Sequence, residues 1–243
     1  MRFREWPVKI RPKCAGFWQA SGDIRQHPAI PDIEPQSALR DTLRDVLTPQ
    51  PITLTGAVVR LEPLSLNHIA DLTQAACADP EIWRFMPYPT VRGEADMQAQ
   101  IEDLLIRQAR ATDLPFAVWH LAEGRAIGMS RYLDIQVAND SVEIGGTWYT
   151  PAFQRTAVNT ECKFLMFTHA FEALGCTRVQ IKTDLRNERS QRAIERLGAV
   201  REGVLRAHMR MPDGYQRSSV YFSVLAEEWP TVRARLRGWL DAR

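Results

Sequence analysis

The stretch "TWYTPAFQRTAVNTE", residues 147–161, constrains the fold more than any other part of this chain. A strand reads as far as the break at Pro151, and a helix begins at about Val158, with no loop padding between them. The break holds "QRTAVN", a turn of small residues. A helix start leaves backbone N–H groups without partners and carries the positive end of the helix dipole. Phosphate oxygens fit there if no side chain blocks the approach, and Thr156, Ala157 and Asn159 are small enough to permit it. An ordinary strand–turn–helix link is the competing reading. No P-loop lysine and no GxGxxG follow, so neither a nucleotide-hydrolysis loop nor a dinucleotide fingerprint is present.

The elements around this turn alternate. "ITLTGAVVRLEPL" reads as a strand pair or a bent strand, and "LNHIADLTQAACA" as an amphipathic helix capped by Asn67. "EADMQAQIEDLLIRQARA" gives a longer helix. "LPFAVWHL", "AIGMSRYLDI" and "DSVEIGGTWYT" form an antiparallel meander turning at Gly124 and at 138–140. The helix "VNTECKFLMFTHAFEAL" stops at Gly175, strand "RVQIKTD" follows, and helix "NERSQRAIERL" stops at Gly198. A hairpin, "AVREGVLRAHMRM" and "QRSSVYFSVL", turns at Pro212, Asp213 and Gly214, and a last helix runs from 227 to about 240. The order predicts an α/β fold: a mixed, mostly antiparallel central sheet of about seven strands with helices on both faces. Residues 1–50 differ. Six prolines interrupt them, and only "SALRDTLRDVL" has helical spacing, so they read as a loosely ordered extension to a domain over 51–243.

Composition removes whole classes of function. Formal charge is +2, so nothing global favours nucleic acid or an anionic membrane. No apolar run approaches the roughly 18 residues of a membrane span, and the N-terminus shows no apolar core of a secretion signal. Cys14, Cys77, Cys162 and Cys176 are scattered without a CxxC, and the five histidines without an HExxH. The expectation is a cytoplasmic protein with reduced thiols and no metal.

Two landmarks give a resemblance. Gln154-x-x-Ala157-x-Asn159 at a helix start resembles the Gln/Arg-x-x-Gly-x-Gly/Ala signature of the GCN5-related N-acetyltransferase (GNAT) superfamily. "NERSQRAIERLGAV" is similar to its second landmark, an Asn in a short helix that closes in Leu-Gly. Ser190 and "RLEPL" near the start point to the RimJ/RimL-like branch, over about residues 52–240. Ala157 and Asn159 depart from the usual glycines, and Ile194 stands where many relatives have an acidic tyrosine.

The resemblance implies acetyl-CoA as cosubstrate, an amine acceptor (a peptide N-terminus or a small molecule), and direct attack in a ternary complex; a homodimer is allowed for. It implies a splay between strands 143–149 and 179–184. There the backbone of Thr147, Trp148 and Tyr149 would bind the pantetheine arm. Gln154, Arg155, Thr156, Ala157, Val158, Asn159 and Thr160 would hold the pyrophosphate, with Arg189 and Arg192 as further phosphate partners. Asn187 would bond the pantetheine amides, or else simply cap its helix, and Ser190, one turn on, would sit near the sulfur. Glu143 is the candidate base, and structural burial is its alternative; His120 and His169 are weaker candidates, His169 reading as core. Trp83, Phe85, Met86 and Tyr88 would wall the acceptor cleft or plug the helices onto the sheet, and 211–215 would border the cleft. A non-catalytic acyl-CoA-binding module on the same fold is the rival function.

Overall fold

The computed structural model describes residues 49–242. The proline-rich extension and its helical candidate at 37–47 lie outside them. Eight strands form one sheet: β1 (Leu54–Thr55), β2 (Val59–Pro63), β3 (Leu114–His120), β4 (Arg125–Gln136), β5 (Ser141–Tyr149), β6 (Arg178–Asp184), β7 (Val200–Arg210) and β8 (Gln216–Leu225). Five α-helices accompany them: α1 (Ile69–Cys77), α2 (Glu94–Ala109), α3 (Ala157–Thr168), α4 (Glu188–Leu197) and α5 (Trp229–Asp241). The sheet order is β1-β2-β3-β4-β5-β6-β8-β7. Every neighbouring pair is antiparallel except β5–β6, where the α3 crossover makes the strands parallel.

The eighth strand comes from the first segment, which breaks at Gly56 into β1 and β2. The cause lies on α3. Glu161 accepts hydrogen bonds from the backbone of Ala57 (2.8 Å), Val58 (2.7 Å) and Val59 (2.7 Å). A Cβ on Gly56 would come 2.4 Å from the Glu161 carboxyl carbon, so only glycine admits the carboxylate. The last hairpin enters the sheet out of sequence order. Sequential pairing would set β7 beside β6, but β8 lies between them.

Strand alternation sorts side chains onto two cores. Val142, Ile144 and Tyr149 of β5 face α3 and α5, in a cluster with Val158, Met166, Phe222 and Trp229. Trp148 faces the other way, with Met129, toward Leu72 of α1 and Met97 and Ile101 of α2. Helices therefore cover both faces, as expected. α1 starts one short 3-10 turn later than its sequence suggests. That turn, Leu66–His68, is capped by Ser65, whose N–H donates to His68 Nδ1 (3.1 Å), and α1 itself starts from His68 rather than Asn67. α3 ends at Thr168 in a π-turn, His169–Ala173, closed by Leu174 N–H to His169 O (3.0 Å). His169 is buried there, its Nδ1 3.3 Å from the Tyr132 hydroxyl.

Candidate functional site

β5 and β6 share three rungs only: Ser141 with Arg178, Val142 with Val179, and Glu143 with Gln180. Beyond Glu143 the strands part, and the edge of β5 from Gly145 onward has no β6 partner. A bulge reinforces the parting. Between Met129 and Arg131 of β4, pairing on β5 skips from Trp148 to Gly145, and Gly146 takes a positive φ of 58°. Arg131 packs where a Gly146 side chain would go, its Nε 3.0 Å from the position of a Cβ. Thr147 thus sits on a bulged strand, beside the gap.

Following β5, the chain reaches the mouth of α3 in seven residues, through a short 3-10 turn at Pro151–Phe153. Thr156 is the N-cap: its hydroxyl donates to Phe153 O (2.8 Å) and accepts from Val158 N–H (3.3 Å). The left-handed residue of the turn is Arg155 (φ 62°), exposed beside the helix start; Ala157 and Asn159 are already helical. The glycine replacements therefore fall where glycine is not needed for its torsions. Asn159 uses its side chain to accept from the Tyr149 hydroxyl (3.3 Å). Gln154 donates to Tyr149 O (3.0 Å) and accepts from Arg189 of α4 (3.1 Å), which draws a second guanidinium to the same mouth. Arg192 is paired instead with Glu188. Val158 and Thr160 are buried, and Thr160 accepts from Arg196 (3.0 Å).

α4 begins beside the gap. Asn187 is its N-cap, the side-chain oxygen accepting from Ser190 N–H (3.1 Å), so the capping reading of Asn187 is realised and its NH2 remains as donor. Ser190 is half-buried with its hydroxyl outside the cap. Ile194 is buried in the core and supplies no acid.

On the other sheet face, at the last rung, Glu143 is 2% exposed. It accepts from Lys182 Nζ (2.7 Å) and Gln180 Nε2 (3.1 Å). Burial pushes its carboxyl above the usual range, and Lys182 offsets part of that push. The wall continues through Tyr221, His208, Ser219 and Arg217. Tyr221 and His208 contact at 3.2 Å, and Arg217 donates to Ser219 Oγ (3.0 Å) and Phe85 O (3.3 Å). Arg186, paired with the fully buried Asp184, lies over the rings of Tyr215 (3.5 Å) and Phe85 (5.7 Å). The hairpin tip and the α1–α2 loop therefore meet over this wall.

That loop divides between its two readings. Trp83 is buried, its ring 5.4 Å from that of Trp148 and its indole donating to Ala76 O (3.2 Å), so it plugs the helices onto the sheet. Phe85, Met86 and Tyr88 are half-buried, and Tyr88 contacts Arg131, itself ion-paired with Asp113 (3.1 Å). The other sequence candidates stay away. His120 accepts a turn hydrogen bond from Glu123 N–H (3.2 Å), and Cys162 is buried with its thiol pushed up by that burial.

An acetyltransferase (GNAT) domain model matches residues 59–200 of this chain. The chain belongs to the GNAT acetyltransferase family. The Bacillus subtilis (strain 168) protein YdaF, which carries the name of a ribosomal N-acetyltransferase, is 32% identical over 109 residues. That match covers 45% of this chain and 58% of YdaF, so the chain spans little more than half of that curated relative. A crystal structure assigned as an acetyltransferase, from T. thermophilus, is 41% identical, with a TM-score of 0.72. It covers 79% of this chain and 98% of its own. Mycobacterium smegmatis RimJ, solved with CoA-disulfide, shares the fold at 21% identity and a TM-score of 0.67, over 77% of this chain and 94% of that one. The likeness to RimJ is one of fold.

Around this candidate site, sequence reasoning passed over Glu161, Lys163, Lys182, Arg131 and Arg217. Two signals were available. Glu161 and Lys163 are charges inside an otherwise apolar central helix, and Gln180, Lys182 and Asp184 alternate with Val179 and Ile181 along β6. Among the described residues no group of His, Cys, Asp or Glu could hold a metal ion, and no helix is long and apolar enough to cross a membrane.

Proposed function

We propose that the protein moves an acetyl group from acetyl-CoA to a primary amine, on a peptide N-terminus or a small molecule, by direct attack in a ternary complex. The observation that carries this reading is the bare edge of β5, running from the last rung at Glu143 to the capped mouth of α3. The residues fit the coenzyme. An open strand edge suits the amides of a pantetheine arm. A helix mouth with Arg155 and Arg189 beside it suits a diphosphate, and the NH2 of Asn187, which the cap does not use, would serve a pantetheine amide. Bound acetyl-CoA would supply an acetyl group activated as a thioester.

The chain's own residues would do the rest. Glu143, kept partly basic by burial and held by Lys182, would take the amine proton directly or through water. Ser190 would donate toward the sulfur, since the cap engages its N–H and not its hydroxyl. Phe85, Met86, Tyr88 and Tyr215 would receive the acceptor, with Arg186 bridging loop and hairpin. Cys162, buried and with a raised pKa, is a poor nucleophile, which agrees with transfer without an acyl-enzyme.

The test is acetyl-CoA turnover followed by free-thiol release, against peptides of varied N-terminus and a panel of amines. The name of YdaF puts ribosomal-protein N-termini first in that panel. Thiol release dependent on one acceptor class is expected, without a burst of acetylated enzyme. CoA binding with no release across the panel would favour the non-catalytic module on the same fold.

A further inference from the structure

Lys163 lies in the second turn of α3 with its side chain against the sheet, 5% exposed. Its Nζ donates to Thr147 Oγ1 at 2.6 Å and to Ser130 Oγ at 3.3 Å, and the two hydroxyls are 2.7 Å apart. Ser130 Oγ also reaches Met166 Sδ at 3.3 Å. These partners are neutral. Among the described residues no carboxylate pairs with this ammonium, and burial holds its pKa down at about 8.

The ionisable groups around it do not supply the missing charge. On α3, the Glu161 carboxylate is turned onto the Ala57, Val58 and Val59 amides, and the Cys162 thiol is pushed up by burial. On β5, the Tyr149 phenol is held far above its usual range by burial. On β4, the Tyr132 phenol is held up likewise and lies against His169, while Arg131 is engaged with Asp113 and Tyr88. Glu143 and Lys182 pair with each other at the last rung of β5–β6, and Arg196 of α4 sits at Thr160. A cation is thus stored, unneutralised, under one strand.

That strand is β5 at its bulge. Thr147 joins the two facts, because its hydroxyl receives Lys163 and its backbone lies where β5 has left β6. We propose that Lys163 is a positioning residue: it braces Thr147 and lays a positive charge beneath the bare edge of β5, favouring negative charge that arrives there. This rests on the acetyl-transfer reading of that edge.

The experiment is calorimetric titration of CoA into wild type, Lys163→Met and Lys163→Arg at pH 8, in two buffers of different ionisation heat. An anion brought near a half-titrated ammonium raises its pKa, so binding draws in protons. Wild type should take up a fraction of a proton, about 0.5 at most, beyond that of Lys163→Met. Lys163→Arg, charged throughout, should bind as wild type does and take up no more than Lys163→Met. In turnover, Lys163→Met should lower kcat/KM for acetyl-CoA by about 10-fold or more, and Lys163→Arg should recover most of it. If Lys163→Met does not fold, wild type alone decides, with uptake several-fold larger at pH 8 than at pH 7. Equal uptake in all three proteins, or no pH dependence in wild type, overturns the inference and leaves acetyl transfer standing. Absence of any CoA heat in wild type overturns the reading beneath it.

Discussion

Glu161 and Glu143 are both carboxylates sunk below solvent, 5% and 2% exposed, yet they are held in opposite ways. Glu161 is tied by three backbone N–H groups from a turn about a hundred residues away, donors that cannot swing aside without unmaking β1 and β2. Glu143 is tied by Lys182 and Gln180, long side chains with rotamers to spare, at the rung where two strands separate. The first arrangement fixes a carboxylate in one place. The second lets it exchange a proton and a partner. On the proposed mechanism, burial alone does not mark a functional acid; the mobility of what satisfies it does.

Replacing each carboxylate should pull the two apart. Glu161→Ala leaves three amides without an acceptor, at about 1–3 kcal/mol each when buried, so a loss of roughly 3–5 kcal/mol is expected in urea denaturation. A loss no larger than that of Glu143→Gln would erase the distinction. Glu143→Gln should instead unfold near the wild-type midpoint, bind CoA normally, and lose about 10²-fold in kcat/KM, roughly 2.7 kcal/mol of barrier. Its rate should also lack the acid limb, where wild-type turnover drops as pH falls through the raised Glu143 pKa and the base protonates.

Lys182→Met sharpens the point by sign. Lys182 holds the Glu143 pKa down, so its removal should move the acid limb to higher pH in a pH–rate profile. A limb that stays in place would mean that Glu143 is not the group observed. The smallest effect is expected of Ser190→Ala, about 10-fold in kcat with stability retained, because the cap uses the Ser190 N–H and not its hydroxyl.

Much of this was legible in the chain beforehand. Alternation and turn residues place the meander, the last hairpin and the helices, and the switch at Pro151 locates the mouth of α3. The parting of β5 from β6 also falls where the family resemblance implies it. What stayed hidden depends on contacts distant in sequence. Nothing local in "TGAVV" announces a carboxylate a hundred residues on, and nothing in "NTECKF" says which charge meets amides and which meets hydroxyls. The sequence does not say which turn residue is left-handed; it is Arg155, which leaves Ala157 and Asn159 free of any need for glycine.

The placement of β8 between β6 and β7 has a consequence for synthesis. The last strand to leave a ribosome is an interior one, so a nascent chain holds β6 as a raw edge until residues beyond 225 are out. A stop codon anywhere in that strand would do more than shorten the molecule. It would strip a neighbour from β6, leave β7 unmoored, and release a product prone to stick to its own kind.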